Sequence, residues 1–457
     1  MTETSSLAII LAAGKGTRMK SALPKVLHKL AGAPMIAHVL SAAEAAAIGK
    51  LALVVGPGMD DVAQAAITLN PKLQVFVQPE QQGTADAVKA ARSAVEDFKG
   101  HVLILYGDTP LLRPETLNAV QAELAAGADL VVIGFEAENP TGYGRLLLDD
   151  RGRLIAIREE KDASDEERAL TLCNSGIMGF RSGKSLLGLL GRIGKNNAKG
   201  EFYLTDAVAL AAGDKLETRI VLSSGAEVLG VNSRAELAEA ETAMQQRLRA
   251  RAMAGGATMI APETVFLSHD TKIGKDVLIE PNVFIGEGVT IADGAVIKAF
   301  SHLDGASIGE GATVGPFARL RPGADLARNV HVGNFVEIKK AEIAEGAKVN
   351  HLTYIGDASI GARANIGAGT ITCNYDGFGK YRTEIGAGAF IGSNSSLVAP
   401  VRIGEGAYIG SGSVITKDVE PDALALTRAP QEERKGWAKR MRDERGKHAK
   451  DRGNKGT

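Results

Sequence analysis

Aromatic residues make up only 4% of this 457-residue chain and tryptophan occurs once, so its cores are not built around large rings. Cysteine is nearly missing too: Cys173 and Cys373 lie far apart with no ligand-like spacing, which argues against a disulfide framework or a thiolate metal site and suits a reducing compartment. There is no excess of either charge. The 53 Lys and Arg almost cancel the 54 Asp and Glu, leaving no general field to draw nucleic acid or an anionic membrane, so any anionic ligand needs a local site. No apolar run reaches the roughly 18 residues of a membrane span, and the opening MTETSSLAIILAAG has no basic stretch ahead of its short apolar run. The expectation is a cytoplasmic protein without membrane insertion. Glycine, by contrast, is abundant at 54 residues, and a chain of this length with 45% hydrophobic content divides into two cores or more.

Over residues 1–233 short aliphatic runs alternate with alanine-rich amphipathic stretches: LAIILAAG from Leu7, LALVVG from Leu51, LQVFVQ from Leu73, VLILYGD from Val102 and DLVVIGF from Asp129. Such runs suit buried parallel strands, and helical stretches at 35–47 and 114–126 between them give an α/β, Rossmann-like doubly wound sheet. Ligands of these sheets bind beyond the carboxyl ends of the strands. Residues 234–254, rich in Ala, Glu, Gln, Arg and Leu, read either as a linker helix or as the last helix of the first domain.

From residue 255 to 430 the pattern changes. Aliphatic residues recur at every sixth position, from Ile273 through Leu303, then after short slips from Ile308 through Ile338, Ile343 through Ile355, Ile360 to Ile366, and again from Ile385 through Ile415. A period of six fits neither helix nor strand, but it fits a triangular coil whose flat sides each turn one aliphatic residue inward. Small residues two positions earlier, such as Thr271, Ala306 and Ala358, suit the crowded interior. The expectation is a left-handed parallel β-helix of hexapeptide repeats. One polar interruption, CNYDGFGKYRTE at 373–384, must loop out, as function-bearing loops on rigid scaffolds do. The charged C-terminal tail, 431–457, reads as a short helix around Trp437 followed by disorder, with RNA binding as the alternative to a solvated end.

LAAGKGTRM, residues 11–19, follows the first strand directly, with Pro24 and Lys25 close behind. A glycine-rich turn between strand and helix offers backbone N–H groups to phosphate oxygens, and Arg18 and Lys25 can offset their charge. It lacks the GK[ST] ending of a Walker loop, and Met19 stands where a dinucleotide fingerprint has its third glycine. YGD, Tyr106-Gly107-Asp108, ends the strongest apolar strand, where a carboxylate can hold Mg2+ against phosphates or serve only as a turn residue.

These motifs resemble the sugar nucleotidyltransferases with the LxxGxGTRM…PK signature. QGTADA (82–87), TGYGR (141–145), EEKDA (159–163), CNSGI (173–177) and GVNS (230–233), joined to the hexapeptide region, narrow the resemblance to the bifunctional N-acetylglucosamine-1-phosphate uridylyltransferase/glucosamine-1-phosphate N-acetyltransferase family, over nearly the whole chain. The resemblance implies that Leu11, Ala12, Ala13, Gly14, Gln78, Gly83 and Thr84 hold the uridine nucleotide, and that Gly144, Glu159 and Asn174 hold the sugar. Asp108 and Asn232 would coordinate Mg2+, with Lys25 and Arg18 at the phosphates. In-line attack of a sugar 1-phosphate on UTP needs positioning and charge neutralisation more than a nucleophile, which fits the lack of a catalytic triad.

Acetyl transfer from a thioester to an amine needs a base and donors for the oxyanion. His351, in VNHLTYIG, stands two residues after the inward Val349 at an outward register, near Asn350 and Tyr354, and Arg321, Lys339 and Lys340 occupy corners elsewhere small or acidic. The alternative is a bland surface histidine. The resemblance aligns its base with His351, places Arg321, Lys339, Tyr354, Asn365 and Lys380 at glucosamine 1-phosphate, puts Asn374 and Tyr375 in the catalytic loop, and directs Ala368, Ser393, Ser411 and Arg428 toward acetyl-CoA. Ser411 stands where relatives often have alanine. It further implies a homotrimer and supply of UDP-N-acetylglucosamine to peptidoglycan and lipopolysaccharide. Two other readings stand beside it: a nucleotidyltransferase whose β-helix only oligomerises or regulates, and a non-enzymatic nucleic-acid or scaffold protein. His269, His302, His331 and His351 are too dispersed to suggest zinc.

Overall fold

A computed structural model of the chain describes residues 5–453. Its contacts divide it into two compact units, Met1–Ile273 with Phe284–Gly288, and Gly274–Val283 with Val289–Thr457.

The first unit contains a nine-stranded sheet whose main path runs Thr218–Leu222, Leu130–Glu136, Leu172–Phe180, His101–Tyr106, Ser6–Leu11, Lys50–Val55, Gln74–Val77. Along the first strand Leu7, Ile9 and Leu11 enter one core and Ala8 and Ile10 the other, so helices are required on both faces. Met35–Ala45, Asp60–Leu69 and Pro114–Ala125 cover one side; Thr84–Ala90, Gly183–Leu190 and Asp206–Gly213 cover the other. Each fully buried Leu or Ile contributes about 1.5–3 kcal/mol relative to exposure. The runs read from the sequence as parallel strands do lie parallel to one another, and one further strand among them breaks the pattern. Leu172–Phe180 runs antiparallel to both neighbours, with a bulge between Asn174 and Met178, and it carries the hairpin Arg145–Leu148/Leu154–Arg158. Its sequence, LCNSGIMGF, mixes polar and small residues into the apolar pattern and so lacks the aliphatic run that marks its neighbours.

The helix Arg234–Ala254 starts at Ser233, whose hydroxyl accepts the Glu236 N–H at 3.3 Å, a cap worth about 1 kcal/mol. Gln245 exchanges two hydrogen bonds with the Leu267 backbone (2.7 and 2.8 Å), and Arg249 donates to the Val265 carbonyl at 3.1 Å. These bonds explain why the first unit continues to Ile273, past the sequence boundary at 255.

In the second unit short parallel strands stack into three faces, the left-handed parallel β-helix. One face runs from Leu278–Ile279 through Lys348–His351, Asn365–Ile366, Phe390–Ile391 and Tyr408–Ile409 to Leu424–Ala425. Nearly every sixth-position aliphatic residue is buried, among them Ile297, Leu320, Val349, Ile366 and Ile409; Ile273, in the first unit, is only half-buried. Thr372 takes an inward position with a hydroxyl instead, accepting the Gly356 N–H at 2.8 Å and donating to the Gly356 carbonyl at 3.1 Å. The 373–384 interruption does loop out: Tyr375 and Lys380 pair across it, Asp376 accepts the Phe378 and Gly379 N–H groups, and Phe378 is 98% exposed at its tip.

At one corner the turn residue is left-handed in coil after coil, at Asn282, Phe300, Phe317, Phe335 and Leu352, with φ of 50–60°. Phe300, Phe317 and Phe335 stack there, centroids 4.9 and 5.2 Å apart, all about half exposed. In the tail the helix runs Trp437–Gly453, longer than the short helix expected from sequence, with Lys439 and Asp443 paired one turn apart. The remaining tail residues, where disorder is expected, lie outside those described.

Candidate functional site

Parallel pairing sets Leu11 beside Tyr106, so the glycine loop and Gly107-Asp108 leave the sheet at one edge. Gly107 donates to the Leu11 carbonyl at 2.9 Å, and the Val231 N–H donates to the Asp108 carbonyl at 2.8 Å, which draws the GVNS segment in. Gly16 sits at φ 60°, where an added Cβ would lie 2.7 Å from the Lys25 Cβ; glycine lets the loop close against the lysine turn. Lys25 then pairs with the Asp108 carboxylate and donates to Asn232 Oδ1 at 2.9 Å. One carboxylate and one amide oxygen thus converge on a single cation, the Lys25 ammonium. Hard oxygen donors of this kind suit Mg2+, which needs few protein ligands when phosphates and water complete its shell. Among the described residues no group of three or more His, Cys, Asp or Glu offers a denser site.

Beyond these residues opens a cleft of about 460 Å³, a size that suits a small-molecule ligand. Of the residues expected from sequence, Leu11, Ala12, Ala13, Gly14, Lys25, Gln78, Gly83, Thr84, Tyr106, Asp108, Gly144, Glu159 and Asn174 line it. Gly107 packs behind the wall against Ile36, Val26 and Ala12. Arg18 stands exposed on the turn Thr17–Met19, and Asn232 joins through Lys25. Gln78 is buried and donates to Asp86 at 2.7 Å and to the Gly83 carbonyl at 3.2 Å. Gly83 lies at φ 120° with the Phe202 carbonyl only 2.5 Å from where a Cβ would stand, so this wall has room for no side chain. At the other end, burial pushes the Glu159 carboxyl above its usual range, partly offset by the Thr205 hydroxyl 3.3 Å away. Burial, with the charges of Asp108 and Glu159, also raises Tyr106, so its phenol stays a neutral donor. The sequence reading missed Lys199, Glu201, Tyr203 and Thr205, which complete this end; the only signal is the alternation of polar and apolar residues in KGEFYLT ahead of Asp206–Gly213.

In the second unit His351 is exposed, and its Nδ1 lies 2.8 Å from Asn334 Oδ1. An amide oxygen only accepts, so in the neutral imidazole this contact selects the tautomer with the proton on Nδ1 and the lone pair on Nε2. Asn334 pairs in register with His351 one coil earlier. Ala368, Ser393 and Ser411 hold the equivalent position, two residues after the inward Ile366, Ile391 and Ile409, so all five stand in one corner column. Hydrogen bonds tie the column together: Asn394 N–H to the Ala368 carbonyl at 2.7 Å, Gly412 N–H to the Ser393 carbonyl at 2.8 Å, and the Arg428 guanidinium to the Ser411 carbonyl at 2.7 Å.

Arg321 and Lys339 stack on consecutive coils of another side, Arg321 pairing with Glu337 at 2.8 Å. Lys380, from the loop, comes beside Lys339, and with Arg321 it holds the Lys339 ammonium below its usual range. Crowded cations of this kind suit an anionic ligand. Tyr354 folds its hydroxyl against Gly356, and Asn374 is buried and donates to Asp357. Tyr375 is exposed in the loop. Asn365 is set apart from this group, in register with Lys348 and Phe390 on the face that ends in the His351 column.

Comparison with known proteins agrees with this division. Residues 8–170 match the MobA-like NTP transferase domain, and residues 270–305 and 382–417 match the bacterial transferase hexapeptide (six repeats). The bifunctional protein GlmU of Azorhizobium caulinodans is 59% identical, covering 98% of this chain and 99% of its own length. Those of Parvibaculum lavamentivorans and Rhodospirillum rubrum are 61% and 59% identical over 96% of this chain, covering 96% and 98% of their own lengths. Similarity of this degree along almost the whole length shows that the chain belongs to the GlmU family of bifunctional transferases.

Proposed function

We propose that the chain makes UDP-N-acetylglucosamine in two steps: acetyl transfer from acetyl-CoA to glucosamine 1-phosphate, then uridylyl transfer from UTP to the resulting N-acetylglucosamine 1-phosphate with release of pyrophosphate. What carries this reading is that a single polypeptide holds two built sites of different chemistry, the oxygen pair converging on Lys25 and the corner column headed by the Asn334-oriented His351.

In the first step His351 Nε2 takes the proton from the amine as its nitrogen attacks the thioester carbon, and the CoA thiolate departs. Arg321, Lys339 and Lys380 hold the sugar phosphate. Tyr354 and Asn365 bound the amino sugar, Asn374 and Tyr375 close the site from the loop, and the column of Ala368, Ser393 and Ser411 with Arg428 lies along acetyl-CoA. In the second step the glycine loop with Gln78, Gly83 and Thr84 holds the uridine nucleotide, Gly144, Glu159 and Asn174 orient the acceptor, and Lys25 and Arg18 offset charge on the phosphates. Mg2+ on Asp108 and Asn232 supplies further neutralisation when bound.

Two assays on the purified full-length chain test the reading. CoA release with glucosamine 1-phosphate and pyrophosphate release with UTP, N-acetylglucosamine 1-phosphate and Mg2+ are both expected, and absence of either reduces it to a single activity.

The reading includes a cytoplasmic, homotrimeric enzyme of small molecules. Two free cysteines in different units suit a reducing compartment, and the exposed Phe300, Phe317 and Phe335 ladder is an apolar strip suited to a second copy of the chain. Phe317→Asp is expected to shift the molecular mass seen by light scattering from trimer toward monomer. Aspartate tolerates left-handed backbone, so the change falls on the surface and not on the turn. An unchanged mass would remove this strip from the interface.

A further inference from the structure

We infer that Arg145 is a positioning residue that sets the acceptor-sugar end of the nucleotidyl cleft, an inference that rests on Gly144, Glu159 and Asn174 being the sugar contacts. Arg145 is 1% exposed and is not among the residues that line the cleft. A guanidinium so deeply buried must satisfy its donors nearby. It does so mostly on backbone: Nε donates to the Leu170 carbonyl at 3.0 Å, Nη2 to the Arg168 carbonyl at 3.1 Å, and Nη1 to the Tyr143 carbonyl. The Glu160 carboxylate lies 2.8 Å from Nη2 as an ion pair, out of line for a hydrogen bond.

Strand register explains what this cross-link controls. Arg145 pairs with Arg158 on one side and with Cys173 on the other. Gly144 immediately precedes Arg145, Glu159 follows Arg158, and Asn174 follows Cys173. All three proposed sugar contacts therefore lie one residue from the crossing that Arg145 occupies. Asn174 also donates its N–H to the Gly144 carbonyl at 2.8 Å. The side chain pins residues 143, 168 and 170 behind that crossing, so its loss lets the acceptor end shift while the glycine loop, on other strands, stays in place.

Arg145→Lys and Arg145→Met in the full-length chain test this. Lysine can still face Glu160 but cannot reach three carbonyls in one plane. Displacement of contacts by a fraction of an ångström is costly in such sites, so the acceptor KM is expected to rise about tenfold or more in both variants. The KM for UTP should stay within about twofold, and acetyl transfer, in the other unit, should be unchanged. Should the methionine variant not fold, the lysine variant alone decides. An acceptor KM close to wild type, or a parallel rise in the UTP KM, overturns the inference. The underlying assignment is checked separately by Asn174→Ala: if that leaves the acceptor KM unchanged, the sugar contacts are misplaced, whatever Arg145 does.

Discussion

Replacing His351 with alanine is expected to lower acetyl transfer to glucosamine 1-phosphate by about 10²–10⁴-fold, the usual contribution of a positioned base. Uridylyl transfer by the same preparation should be unchanged, since none of its proposed residues lies in the second unit. The size of the effect follows from the tautomer. In the neutral imidazole Asn334 fixes the proton on Nδ1 and leaves Nε2 as the acceptor, so alanine removes the base outright while the exposed position leaves no buried partner unsatisfied. CoA release followed with a thiol reagent decides the matter. A rate within about threefold of wild type would leave the histidine a bystander and the column no more than a surface.

The second large effect is expected at Asp108. Asp108→Ala removes the carboxylate that faces Lys25 and leaves Asn232 as the lone oxygen of the pair. Removing one electrostatic contact of a transition state costs about 10²–10³-fold, and because Asp108 also fixes the lysine, pyrophosphate release should fall at the upper end of that range or beyond. Acetyl transfer is the internal control and should not change. If raising Mg2+ restored full uridylyl transfer to the alanine variant, the carboxylate would serve affinity for the ion alone, and the proposed hold on Lys25 would be wrong.

Much of this architecture is legible in the sequence because its periods are physical. Six residues per flat side fixes the prism, and Val349, Ile366, Ile391 and Ile409 are buried where the count puts them. The count fails at Thr372, where a hydroxyl that bonds the neighbouring coil replaces an aliphatic side chain, and no hydropathy pattern marks that exchange. The antiparallel Leu172–Phe180 is obscured for a related reason: a strand bulged beside a cleft carries polar residues for the cleft. The glycine loop, Asp108 and His351 stand in compact motifs and can be read directly. Asn334 cannot, since it lies 17 residues from His351 and the pairing is seen only when coils are laid over one another. Tyr203 and Thr205 reach the cleft from an irregular segment, where a short alternation is the only signal and no motif indicates direction.

The bonds between Arg234–Ala254 and the Val265 and Leu267 backbone determine how the protein can be dissected. A fragment cut at Ala254 would take from Gln245 and Arg249, both buried in the intact chain, their backbone partners at Leu267 and Val265, and would uncover that side of the helix, leaving Gln245 its bond to Glu241. An excision of the nucleotidyl half must therefore carry the opening rung of the solenoid with it, at least through Ile273, as a structural cap rather than as part of the second enzyme.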